Sequence, residues 1–155
     1  MAGRRSDGHG LNGARQAWLV ALALSVVVGR ADAAPDIVGL WKTYDDETGR
    51  PAALVRIFSE RGAYVGRVEE LLDGEAPRRC DRCVGERHGQ AIVGMVILTG
   101  LRSEGDRYAG GDILDPEQGR FYRVEARLTD QGDKLSLRGY LGLPILGRSQ
   151  IWERQ

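Results

Sequence analysis

The sequence has 155 residues, with 22 basic and 22 acidic side chains, 42% apolar residues and two cysteines. That balance belongs to one ordinary globular domain and excludes a disordered, collagenous or polytopic chain. No strong excess of either charge points to a polyanionic or polycationic partner.

In chain order, the first 33 residues read as a cleaved secretory signal peptide. Arg4, Arg5 and Arg15 precede an apolar run from Ala17 to Val28, and Ala31-Asp32-Ala33 follows. A basic region, a short apolar stretch and small residues at alternate positions are the three parts that signal peptidase needs. The run is shorter than the roughly 20 residues a membrane-spanning helix requires, so no transmembrane segment is expected after cleavage. Cleavage leaves residues 34–155 as a single domain with 18 basic and 20 acidic side chains. A nucleic-acid binder needs a clustered basic excess to neutralise phosphates, so no nucleic-acid partner is expected. The expected location is periplasmic or secreted, as a bacterial protein exported through its signal.

Apolar periodicity along the mature chain is close to two. Tyr122, Val124, Ala126 and Leu128 alternate with Arg123, Glu125 and Arg127, and Leu135, Leu137 and Gly139 alternate with Lys134, Ser136 and Arg138. This is the pattern of strands with one wet face. Ile92 to Leu98 is an apolar, β-branched run that reads as a strand covered on both faces. Weaker strands are expected over 37–44, 53–59, 63–70, 106–114 and 145–153, which makes about eight.

The gaps carry turn chemistry. Asp45 to Pro51, Glu60-Arg61-Gly62, Asp115 to Gly119 and Asp130 to Asp133 are short, and each holds a glycine. Short sequential loops imply antiparallel neighbours. The expectation is all-β: a small antiparallel up-and-down barrel of about eight strands, closure removing the edges of an open sheet. A two-sheet sandwich is the other arrangement such strands permit.

Residues 71–90 differ, being a long aperiodic connection that carries both cysteines, Cys80 and Cys83. In an oxidising compartment a local disulfide is expected, and its small ring contributes only about 2 kcal/mol. A redox role would draw on Arg78, Arg79 and Arg82 to favour a thiolate but lacks a strand-to-helix setting. Metal binding would recruit His88 with Asp81 or Glu86, without the paired Cys or His spacing of structural zinc, so no metal or cofactor is expected. His88 is the one histidine left after cleavage, and no G-x-S-x-G, Walker A or dinucleotide motif occurs, so an enzyme is the less favoured class.

Both ends of the mature chain carry aromatic motifs. Gly39-Leu40-Trp41 opens the first strand, and Trp152-Glu153-Arg154 closes the last. In a barrel these strands are neighbours, which lets Arg154 stack over Trp41 for about 1 kcal/mol. The arrangement resembles the calycin and lipocalin-like superfamily. More specifically, Gly66-Arg67-Val68, Cys80-x-x-Cys83-x-Gly85, Gly110-Gly111-Asp112-Ile113-x-Asp115-Pro116, Gly119-Arg120-x-Tyr122, Arg138-Gly139-Tyr140-x-Gly142 and Leu146-Gly147-Arg148-x-Gln150-x-Trp152-x-Arg154 resemble the blocks of the bacterial secreted family catalogued as domain of unknown function 2147. The resemblance implies an exported lipocalin-like barrel and no established activity.

Barrels of eight strands hold one small ligand or fill their lumen with side chains. The leading expectation is binding of a small apolar or amphipathic molecule. Candidate lining residues are Trp41, Tyr108, Tyr122, Tyr140, Gln150 and Trp152, with Arg138 and Arg148 for an anionic head, although Arg138 falls on the wet side of its strand. The alternative is a structural or partner-binding envelope protein with a filled barrel, interacting through loop 71–90.

Overall fold

The structure is a computed structural model, and it describes residues 36–74 and 78–155. The signal peptide expected over residues 1–33 lies outside the described residues. Eight strands follow one another: β1 Gly39–Tyr44, β2 Pro51–Glu60, β3 Ala63–Leu71, β4 Val96–Glu104, β5 Arg107–Asp115, β6 Arg120–Thr129, β7 Lys134–Tyr140 and β8 Arg148–Arg154. Each pairs antiparallel with the next, and β8 returns to pair with β1 through Trp41 opposite Arg154 and Lys42 opposite Glu153. The sheet is a closed barrel, not a sandwich.

Alternation in sequence becomes inside and outside in space. Val124 and Ala126 on β6 face Gly139 and Leu137 on β7, and Leu135 faces Trp152 on β8. Val124, Ala126, Leu135, Leu137 and Trp152 are all buried, whereas Arg123 and Arg127 between them pair outside with Asp112 and Asp106. Each large apolar side chain so buried contributes about 1.5–3 kcal/mol of driving force. The outer ion pairs are exposed and contribute little.

The chain departs from the expected strands at two places. Ile92 to Met95 is a turn, not the start of a strand: the Met95 amide donates to Ile92 O, and Gly94 adopts φ +89°. Ile92 and Met95 are buried because that turn is folded over the barrel, and β4 runs instead through Val96 to polar Glu104. Residues 144–146 form a 3-10 turn led by Pro144, so β8 begins only at Arg148. Proline supplies no amide hydrogen for a ladder, which is why that apolar stretch is not strand.

One end of the barrel carries short hairpins and is sealed. Arg154 lies over Trp41, its guanidinium carbon 4.3 Å from the ring centre. Its nitrogens donate to Gly132 O at 2.7 Å, Val38 O at 2.9 Å and Asp36 O at 2.6 Å, and the Trp41 indole donates to Ile37 O. Glycine suits position 39 because its φ is +152° and because a Cβ there, 2.6 Å from an Arg154 nitrogen, would push the guanidinium off its seat. Tyr64 and Tyr108 pack edge to face beside this seal, 5.2 Å between centroids. Burial first, and then a bond to Asp36, pushes the Tyr64 hydroxyl up to about 12.

Candidate functional site in the barrel mouth

The opposite end is where the longer connections gather: β1–β2, β3–β4, β5–β6 and β7–β8. The largest of them, between β3 and β4, is fastened in place from Arg78 to Met95. Cys80 and Cys83 are joined by a disulfide with Cα atoms 5.3 Å apart, and both are buried in the core cluster. Arg78 bridges Asp73 at 2.6 Å and Glu117 at 3.0 Å, and the Arg87 guanidinium lies over Phe121. The Arg82 carbonyl approaches so closely that a Cβ at position 119 would stand 2.0 Å from its oxygen, and Gly119 takes φ +67°. Only glycine fits there on both counts. The long connection is therefore packed on the β5–β6 turn, while exposed His88 lies outside with Nδ1 3.2 Å from Cys83 O.

Between these loops opens a cavity of about 660 Å³. Its deeper wall is apolar, made by Val55, Val68, Ile97, Ile113, Val124, Leu137 and the Trp152 ring. Its rim is polar: Asp45, Asp46 and Glu47 from β1–β2, Arg78 from β3–β4, Asp115 and Glu117 from β5–β6, and Arg148 at the start of β8. A volume in this range suits one small ligand.

Several rim groups are already committed. Asp45 Oδ1 accepts from the Thr48 hydroxyl and amide, and these bonds hold its carboxyl below the usual carboxylate range. Asp115 Oδ1 accepts from the amides of Glu117 and Gln118, and the Tyr122 hydroxyl donates to Gln118 Oε1 at 3.0 Å. The Trp152 indole donates to Gln150 Oε1 at 3.1 Å, so the deepest polar pair satisfies itself. Arg78 Nε is buried without a hydrogen-bond partner among the described residues.

Of the residues expected from sequence to line a lumen, Tyr122, Tyr140, Gln150 and Trp152 border this cavity, as does Arg148. Trp41, Tyr108 and Arg138 do not. Trp41 and Tyr108 point inward but lie at the sealed end, among Arg154, Ile37 and Tyr64. Arg138 is on the outer face, donating to Pro144 O, Ile145 O and Ser149 Oγ. Arg78 and Ile92 also border the cavity, whereas the sequence suggested Arg78 only as a charge beside the cysteines and Ile92 only as strand, and it named none of the aliphatic wall as lining. The parity that placed Val124 and Leu137 inside was available for that wall, but nothing in the sequence locates two loop residues at a mouth.

A family described as an uncharacterised protein conserved in bacteria, DUF2147, matches residues 39–154. The chain belongs to that family. A solved structure, protein HP1028 from the human pathogen Helicobacter pylori, described as belonging to the lipocalin family, superposes with a TM-score of 0.70. It is 19% identical, over 78% of this chain and 84% of that one, so what this DUF2147 chain shares with it is the lipocalin-like fold. A search of the curated proteins found no match.

Proposed function

We propose that this DUF2147 chain is an exported carrier that holds one small amphipathic molecule, tail inward, in the open end of its barrel. The observation that carries the reading is the 660 Å³ cavity with an aliphatic wall and a charged rim. Each methylene moved from water into such a wall contributes about 0.8 kcal/mol, so a micromolar complex, about 8 kcal/mol, asks for a tail of about ten carbons. The exposed guanidinium of Arg148 and the Tyr140 hydroxyl are the polar groups available to a head at the rim. Export fits the basic, apolar and Ala-x-Ala order of residues 1–33 and the oxidised Cys80–Cys83 pair.

The test uses protein purified from the envelope, whose N-terminus should read from Ala34. A neutral naphthylamine probe should bind saturably and quench the emission of Trp152. Gly139 borders the cavity, and a Cβ there would meet Tyr122 Cβ at an ordinary 3.6 Å. Gly139→Leu should therefore abolish probe binding and leave the unfolding midpoint nearly unchanged. In a filled barrel the same change would overpack the core at a cost of about 1–3 kcal/mol, with no binding to lose. That second pattern refutes the carrier.

A further inference from the structure

The mouth has one apolar lip. Between β7 and β8 the chain runs Leu141-Gly142-Leu143-Pro144-Ile145-Leu146, and its four large side chains are 57%, 65%, 80% and 78% exposed. Exposed aliphatic side chains gathered on one short loop make a contiguous patch of the kind that is often functional on a monomer. The loop is held in this form. The Leu146 amide donates to Leu143 O at 3.1 Å, and the Gly147 amide to Pro144 O at 3.0 Å. From outside, Arg138 grips the carbonyls of Pro144 at 2.6 Å and Ile145 at 3.0 Å and the Ser149 hydroxyl at 3.1 Å. A loop fixed at these points presents its side chains with little ordering left to do on contact.

We propose that this lip docks the protein on a lipid bilayer, inserting Leu143 and Ile145 at the headgroup boundary. The inference rests on the carrier reading and adds where the cargo is exchanged. Leu141 and Leu146 border the cavity, whereas Leu143 and Ile145 do not. Apolar surface thus continues from the outer tip of the lip to the cavity wall, the path an amphipathic molecule needs to pass from a bilayer without exposing its tail. The size of the lip also selects the occupant. Four such side chains present roughly 300–500 Å², short of the roughly 800 Å² each partner contributes to a stable protein interface, but enough for shallow insertion of one loop. Charge agrees: Arg138 to Gln150 contains no carboxylate and has arginines at both roots. The carboxylates of the β1–β2 and β5–β6 loops stand to either side and confine contact with an anionic surface to the lip.

The experiment is co-sedimentation of the envelope-purified protein with vesicles of phosphatidylethanolamine and phosphatidylglycerol, beside the double variant Leu143→Ser, Ile145→Ser. The native chain should sediment with vesicles at low and high salt, and the variant should bind them at least about tenfold more weakly. Naphthylamine binding and the unfolding midpoint should be the same in both, since neither residue lines the cavity or is buried. Equal vesicle binding by the two proteins, no binding by the native chain, or binding abolished by salt alone would each overturn the proposal. So would a native dimer in sedimentation equilibrium that the variant lacks, because the lip would then serve a second copy. Failure of the carrier reading appears separately, as a native protein that binds no probe.

Discussion

Removing Arg154 is expected to be a costly change at the sealed end, and its cost can be built from the geometry. Arg154→Ala loses a part-buried bond to Gly132 O, two exposed bonds to Val38 O and Asp36 O, and the stack on Trp41. A sheltered bond from a charged donor contributes about 1.5–3 kcal/mol, the exposed ones about 0.5 each, and the cation–π contact about 1. These share one side chain and do not add fully, so about 3 kcal/mol is expected. Arg154→Lys keeps the charge above Trp41 but replaces a fork with one rotating donor, at about 2 kcal/mol. Urea unfolding followed by tryptophan emission reads this directly. With a slope near 2 kcal/mol per molar, the midpoints should fall by about 1.5 M and 1 M. The reasoning fails if the lysine variant matches the native protein, because then the fork geometry does nothing. It also fails if the alanine variant costs under about 1 kcal/mol.

Two further outcomes follow from features of the core. Replacing Cys80 and Cys83 together by alanine should cost about 3 kcal/mol, more than the ring's own 2, because both are buried instead of lying on a free loop. Hydrogen exchange should quicken over 78–92 and not in β6 or β7, and a uniform increase would contradict this placement. The Tyr64 proton is bound more tightly in the folded chain than in the unfolded one. Its contribution is therefore complete below pH 10 and lost as pH rises from there towards about 12. Alkaline unfolding of Tyr64→Phe should lack that loss, and identical profiles for the two proteins would refute the assignment.

Most of the barrel was legible because strands with one wet face print their inside and outside on alternate residues. Tyr122, Val124, Leu137 and Trp152 were placed inward on that ground, and the Arg154–Trp41 stack followed from the first and last strands being neighbours. Alternation gives the face of a strand but not the height along the barrel axis. Trp41 and Tyr108 face inward as expected, yet they sit in the sealed half, below a cavity that ends at Trp152. The run from Ile92 misled for a different reason. A turn folded over a core needs buried side chains as much as a strand does, and what separates the two here is the Met95 amide closing back on Ile92 O, with neither residue inside a strand. The lip was hidden by the same ambiguity, since Ile145 and Leu146 read as strand until Pro144 is seen to turn the chain outward.

Closure through β1 and β8 makes the strand Arg148–Arg154 a condition for the whole. A chain cut before Arg148 is not a slightly smaller barrel. It is an open sheet with β1 and β7 bare along their length and no arginine to cover Trp41. Contacts between positions more than a hundred residues apart must form before any edge is protected, so a nascent or threading chain stays unsealed until β8 arrives. Loss of the final strand by a premature stop or by trimming should thus act as a null, with the product aggregating or degraded instead of retaining partial function.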